Sequence, residues 1–280
     1  MKIAIDKGHC LYGFDTSADG RSVGGFLESE YDRVLGDKVI NLLRANGHEV
    51  VDVTVDDGNQ FSNMYGSLSA RVSKANANNV DLYVAIHFNA GGGQGTEVYY
   101  ATGDTSGDIC NRIQKNLVAL GFKNRGVKNE DFYVLVNSNS PALLMEICFC
   151  DSVSDKQLYD SLGVDKIAKA IVEGILNKTI KNKEENGVNR SMYVFSKNWY
   201  LYKYPDIAKS GYKDDPYVHY VNYGKKEGRL PIPPIPKEYK EADYLELNPD
   251  IAKVVAEGKF SSGIDHYIQY GFKENRKVSK

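Results

Sequence analysis

No stretch of this 280-residue sequence approaches the roughly 20 apolar residues needed to cross a bilayer, so no membrane insertion is expected. The amino terminus also lacks a basic segment followed by an apolar one. The expectation is therefore a chain made in the cytoplasm without a signal peptide. Cysteine is scarce: Cys10, Cys110, Cys148 and Cys150 show no zinc-finger spacing, and free thiols in a reducing compartment are expected. Cys148 and Cys150 alternate along an apolar run and share a face with Glu146 by period two, which suits small core side chains first and metal ligands second. Charge of one sign is lacking too. The net charge of -2 supports no nucleic-acid partner.

That small net charge hides an asymmetry. Residues 1–180 carry 17 Lys+Arg against 23 Asp+Glu, leaving 18 against 14 for residues 181–280. With a length above that of one average domain, this points to two domains with different partners, an acidic one and a mildly basic one.

The first nine residues organise the acidic part. Lys2-Ile3-Ala4-Ile5-Asp6 reads as a short buried strand, and His9 follows just past its carboxyl end, where open α/β sheets place their chemistry. Asp81-Leu82-Tyr83-Val84-Ala85-Ile86-His87 repeats the arrangement, and Ala142-Leu143-Leu144-Met145-Glu146 sets a carboxylate inside a third apolar run. Glu28 opens a helical pattern in which Tyr31, Val34, Leu35, Val39, Leu42 and Leu43 recur until Asn46-Gly47 stops it. A carboxylate there also suits the helix dipole, so Glu28 reads as a cap or as a ligand. Glu30 competes with it, but at about 100° per residue only one of the two faces any common site. Two imidazoles and two carboxylates on the rims of one sheet have the composition of a catalytic zinc centre. A structural zinc site would instead be closed by four protein ligands and usually includes cysteine.

The remaining elements follow from periodicity. His48 to Val55 is expected as a strand with His48 exposed at its start, and residues 67–76 as a helix. Further strands are expected at Glu97 to Tyr100 and around Tyr133-Val134-Leu135, and further helices from Gly107 to Leu120 and from Val164 to Leu176. Strands alternating with helices predict an α/β fold with a mixed, largely parallel sheet flanked by helices.

The order His9, Glu28, His87, Glu146, with Ser69-Ala70-Arg71-Val72 and Ala75-Asn76 between, resembles the zinc-dependent N-acetylmuramoyl-L-alanine amidases of the amidase-3 type. Ile86-His87-Phe88-Asn89-Ala90 and Pro141 to Glu146 match that family's most specific segments, and the resemblance covers residues 1–177. It departs at Asp6-Lys7-Gly8-His9-Cys10, where the family usually has proline before the glycine and glycine after the histidine. The resemblance implies that His9, Glu28 and His87 hold zinc (Zn2+) and that Glu146 is the catalytic carboxylate. The amide between the lactyl group of N-acetylmuramic acid and L-alanine would be the bond cleaved. Asn89 reads equally as a substrate-orienting group and as a turn former.

After Asn177 the chain changes character. Residues 178–191 read as a polar linker, and beyond it lie 12 of the 20 tyrosines and the single tryptophan, Trp199. Residues 192–280 form a small, mainly helical C-terminal domain of two repeats, about 198–230 and 242–278. Tyr200-Leu201 and Pro205-Asp206-Ile207-Ala208 recur 44 residues on as Tyr244-Leu245 and Pro249-Asp250-Ile251-Ala252. His219-Tyr220, Tyr223-Gly224, Glu227 and Arg229 recur 47 residues on, so the second copy carries three extra residues. His219 and His266 suit hydrogen-bonded structural roles before metal binding, and the tyrosines are first a core. Residues 230–236 separate the copies as a stiff, proline-rich spacer.

Paired with an amidase, this half is expected to bind the cell wall, its exposed rings meeting sugars and its positive charge meeting an anionic wall polymer. A bacteriophage endolysin of a clostridial-like Gram-positive host, made in the host cytoplasm and acting on peptidoglycan after release, is the leading expectation. A host autolysin, a stem-peptide endopeptidase and an inactive wall-binding adaptor are the alternatives. Met192 reads as an internal start for a truncated C-terminal fragment or as an ordinary surface methionine.

Overall fold

The computed structural model describes residues 1–180, 195–213, 216–257, 259–260 and 262–280. The chain divides into two compact units, Met1–Lys181 and Asn182–Lys280. Most of the expected linker, residues 181–191, and Met192 lie outside the described residues.

The first unit is built on a six-stranded sheet. Its strands are β1 (Lys2–Asp6), β2 (Glu49–Asp52), β3 (Leu82–Asn89), β4 (Thr96–Tyr100), β5 (Asn124–Asn129) and β6 (Ala142–Phe149), in the order β2-β1-β3-β6-β4-β5. Pairing is parallel throughout except between β4 and β6, so β4 and β5 run against the other four. Tyr83 to Ile86 on β3, and Ala142, Leu143, Met145 and Ile147 on β6, are fully buried. Covered faces explain why these strands read as continuous apolar runs rather than alternating ones.

Four helices lie between the strands, α1 (Glu28–Ala45), α2 (Met64–Ala77), α3 (Gly107–Ala119) and the single turn α4 (Tyr133–Val136), and two more follow β6, α5 (Val153–Leu162) and α6 (Val164–Leu176). In α1 the apolar stripe of Leu35, Val39, Leu42 and Leu43 is buried, each side chain contributing about 1.5–3 kcal/mol. Gly47 at φ +84° ends that helix as its sequence implies. The Asn63 side chain caps α2, and Ser152 caps α5.

Three local expectations are corrected. Tyr133 to Leu135 form a helical turn rather than a strand; the strand in that region is β5, whose Asn-Arg-Gly-Val-Lys-Asn has almost no apolar signal. The second strand is shorter than expected, and His48 is half-buried, its Nδ1 3.4 Å from the terminal amine of Met1. Period two also fails along β6, between Glu146 and Phe149. The pairs His87–Glu146 and Asn89–Phe149 are two residues apart on β3 but three on β6, so a bulge intervenes. Both cysteines are buried, as small core side chains would be.

The second unit holds α7 (Lys197–Lys203), α8 (Pro205–Ala208) and α9 (Pro216–His219), then α10 (Glu241–Leu247), α11 (Pro249–Ala256) and α12 (Gly263–His266). A five-residue π-helical turn follows α9 and another follows α12, over Tyr220–Gly224 and Tyr267–Gly271. Within each copy a tyrosine hydroxyl meets a histidine Nδ1 at 3.0 Å, Tyr200 with His219 and Tyr244 with His266. Both histidines are thus structural. Arg229 pairs with Asp206 and Glu227, and Arg276 pairs with Asp250 and Glu274, so the duplication extends to the salt bridges. Ile232 and Ile235 of the spacer pack on the apolar cluster of Tyr239, Tyr244, Ile251, Ile264 and Ile268. The spacer is therefore part of the second copy's core.

Candidate metal centre and catalytic carboxylate

The turn after β1 is unusual backbone. Gly8 and His9 have φ of +47° and +20°, a region costly for a residue with a side chain. A Cβ on Gly8 would lie 2.5 Å from Asp32 Oδ2 and 2.8 Å from the Ile86 carbonyl, so glycine is required there. Arg33 on α1, fully buried, holds the turn: it donates to the carbonyls of Lys7, Gly8 (2.8 Å), His9 (2.6 Å) and Val55 (3.2 Å). Lys7 is anchored by ion pairs to Asp37 (2.7 Å) and Asp52 (2.8 Å).

This turn brings His9 to Glu28 and His87. Glu28 Oε1 lies 3.2 Å from His9 Nε2 and 3.2 Å from His87 Nδ1, and it accepts a hydrogen bond from the Phe88 amide at 3.1 Å. Glu28 Oε2 accepts from the Ala18 amide at 3.0 Å. The carboxylate therefore makes no cap on its own helix, which separates its two readings. Glu30 points elsewhere, 3.8 Å from Arg21. The imidazoles of His9 and His87 meet edge to face with centroids 4.8 Å apart. Among the described residues, His9, Glu28 and His87 are the one group whose ligand atoms converge, all within 4.8 Å.

The surroundings draw a cation to this point. Burial opposes charge on His9, but hydrogen bonds to Asp15 and Glu28 outweigh it and raise its pKa to about 10. Burial likewise opposes charge on Glu28, yet the two imidazoles hold its carboxyl well below the ordinary range. A metal ion satisfies the same demand with the same atoms, so the donor set fits zinc, which takes nitrogen and carboxylate ligands. His9 is oriented from behind: its Nδ1 meets Asp15 Oδ1 at 3.2 Å, and Asp15 Oδ2 accepts from Ser67 (2.8 Å) and pairs with Arg71 (2.9 Å). Arg71 also reaches Asp6 at 3.5 Å, and Asp6 accepts from the Tyr83 hydroxyl at 2.6 Å.

Glu146 is the register partner of His87 on β6. Its Oε2 is buried and has no hydrogen-bond partner among the described residues. Burial, then the nearby Glu28 charge, push its pKa well above the usual value, which suits a group that exchanges protons. Asn89 lies outside the converging set. Its amide donates to Glu97 Oε1 at 2.6 Å and its Oδ1 accepts from the Ala90 amide at 2.8 Å, so it braces the end of β3.

Sequence reasoning passed over Asp15, Asp32, Arg33 and Glu97. Asp32 had a signal: it is one turn beyond Glu28 and so on the same helix face. It is fully buried, neither carboxyl oxygen is hydrogen-bonded among the described residues, and burial pushes its pKa far up.

A mixed sheet carrying a histidine–carboxylate cluster at the carboxyl ends of β1 and β3 defines an α/β protein of the hydrolase type. The chain belongs to the N-acetylmuramoyl-L-alanine amidase family Amidase_3, whose profile matches residues 3–177. It is similar to the catalytic domain of the CD27L endolysin, described as targeting Clostridia difficile, with 36% identity and a TM-score of 0.59 over 65% of this chain and 99% of that one. An uncharacterised protein of Clostridium perfringens is 32% identical over 88% of this chain and 72% of its own length. The amidase LytC of Bacillus subtilis is 34% identical over 62% of this chain, which spans 35% of that protein.

Proposed function

We propose that this chain is a zinc-dependent endolysin that hydrolyses the amide between the lactyl group of N-acetylmuramic acid and L-alanine. The convergence of His9, Glu28 and His87 with Glu146 beside them is the observation that carries this reading. His9, Glu28 and His87 would hold the metal, which supplies an acidified water and polarisation of the scissile carbonyl. Glu146, with its pKa raised, takes a proton on one side of the reaction and returns it to the departing L-alanine amine on the other. An amide needs both transfers because its nitrogen leaves poorly unless protonated.

The second unit serves as the wall-binding part. Tyr202, Tyr223 and Tyr270 are exposed, as rings that meet sugar faces must be, and the excess of basic residues suits an anionic wall polymer. Tethering raises the local concentration of the catalytic unit on an insoluble substrate. The chain acts on the wall after release from the cytoplasm where it is made. The likeness to LytC favours a host autolysin of the same chemistry as the second reading.

The test is mass spectrometry of Gram-positive peptidoglycan digested with the zinc-loaded protein, beside a chelated control. Chelator-sensitive release of stem peptides that begin at L-alanine is expected. Peptides beginning at another residue would identify an endopeptidase, and bound protein on intact walls an adaptor.

A further inference from the structure

The row of side chains that starts at the metal site continues across the sheet. His87 on β3, Glu146 on β6 and Glu97 on β4 are successive register partners, and directly opposed residues present their side chains to the same face. The edge strand β5 then closes the row, because Arg125 Nε (3.0 Å) and Lys128 Nζ both contact Glu97 Oε2.

Strict alternation would not allow this. Residues three apart on a regular strand point to opposite faces. Between the pairs Thr96–Asn124 and Val98–Val127, however, β5 holds one residue more than β4. A bulge of this kind re-aims a side chain, and here it turns Arg125 to the same side as Lys128. Gly126, at φ +92°, provides the backbone freedom.

The charges do not balance at that end. Glu97 is buried, and a buried carboxylate needs a cation, but one would do. Its other oxygen is already occupied by the Asn89 amide at 2.6 Å. Two cations on a single carboxylate oxygen leave one positive charge over. Arg125 spends only Nε on Glu97, and its Nη groups donate to nothing among the described residues. Its guanidinium lies 4.8 Å above the Phe149 ring. That contact helps hold the group in place, and its Nη fork, donating to nothing among the described residues, matches a carboxylate. The Arg125 and Lys128 side chains are 32% and 40% exposed, so the fork is open to a ligand.

The geometry points to Arg125 and Lys128 as a subsite for a free carboxylate on the stem-peptide residue after L-alanine. Two strand spacings separate β6 from β5, about 10 Å, and a peptide advances about 3.3–3.6 Å per residue. This assignment rests on the amidase reading, and it makes the pair a determinant of which stem peptides are accepted: those with a free acid rather than its amide after L-alanine.

The experiment compares two soluble muramoyl peptides that differ only in a carboxylate or a carboxamide on the residue after L-alanine. The wild type should prefer the acid in kcat/KM by on the order of 10- to 100-fold, the worth of a charge-assisted contact. In Arg125→Gln and in Lys128→Gln that ratio should fall toward one, through KM rather than kcat and with unchanged zinc content. Arg125→Lys should recover part of it. Equal use of the two peptides by the wild type, or equal losses on both in the variants, would overturn the subsite. Failure to cleave either peptide would instead count against the amidase reading. In that case the affinities of the two peptides for Glu146→Gln protein still decide the subsite, and equal affinities would reject it.

Discussion

Arg33 donates a 2.6 Å hydrogen bond to the backbone carbonyl of His9. The same guanidinium holds the carbonyls of Lys7 and Gly8, so one side chain of α1 fixes the turn that delivers His9, the first of the proposed metal ligands. Each buried carbonyl left without a partner costs about 1–3 kcal/mol. Arg33→Met should therefore lower stability by about 3 kcal/mol or more in urea denaturation and weaken zinc retention on dialysis. A stability change under about 1 kcal/mol would show that water replaces the guanidinium and that the turn holds itself.

Ligand and catalyst roles separate by metal content. Glu146→Gln keeps the shape of the side chain and removes its proton chemistry, so zinc measured by atomic absorption should stay near one equivalent while turnover falls about 100- to 10,000-fold. His87→Ala should lose zinc and activity together. Loss of zinc in the Glu146 variant would move that residue into the ligand set.

The cluster was legible because each member sits at the end of a strong local pattern. His9 and His87 end apolar strands, Glu28 starts an apolar-periodic helix, and Glu146 interrupts an apolar run. What supports them was not legible. Asp15 lies in a polar, glycine-rich loop without periodicity. Arg33 reads as a surface charge until the fold shows that α1 crosses the His9 turn. β5 was missed because an edge strand that turns cations toward Glu97 carries only Val127 as an apolar residue, whereas Tyr133-Val134-Leu135, with a strand composition, closes into a turn of helix. α5 did carry a signal, since Ser152 precedes Asp155 in the spacing of a capping pair.

Glycine in the repeats tests packing against propensity. A Cβ on Gly271 would lie 2.5 Å from the Tyr244 hydroxyl, and one on Gly224 would lie 2.2 Å from that of Tyr200. Both tyrosines are fully buried and tied to a histidine. Alanine at an exposed helical glycine stabilises by about 1 kcal/mol, but here overpacking should destabilise by about 1–3 kcal/mol. Trp199 is the only tryptophan and is buried in this unit, so its fluorescence in urea reads the change. A raised midpoint for Gly271→Ala would mean that Tyr244 can move aside.

The same histidines set an acid limit on the second unit. Burial holds the pKa values of His219 and His266 below the ordinary 6.5. The native state therefore keeps both rings neutral, each beside a tyrosine hydroxyl, while the unfolded chain takes up protons as the pH drops below 6.5. More protons bound by the unfolded state means that stability falls with falling pH. The contribution is fully present above 6.5 and is lost progressively from 6.5 down through the two native pKa values. Glu227 and Glu274 oppose the depression in their respective copies without cancelling it, so His219→Gln and His266→Gln should each flatten the profile. The check is the Trp199 unfolding midpoint at several pH values between 8 and 5, in the wild type and in the double glutamine variant. The wild-type midpoint should fall in that window and the variant's should not. Parallel profiles would place the acid sensitivity in other groups.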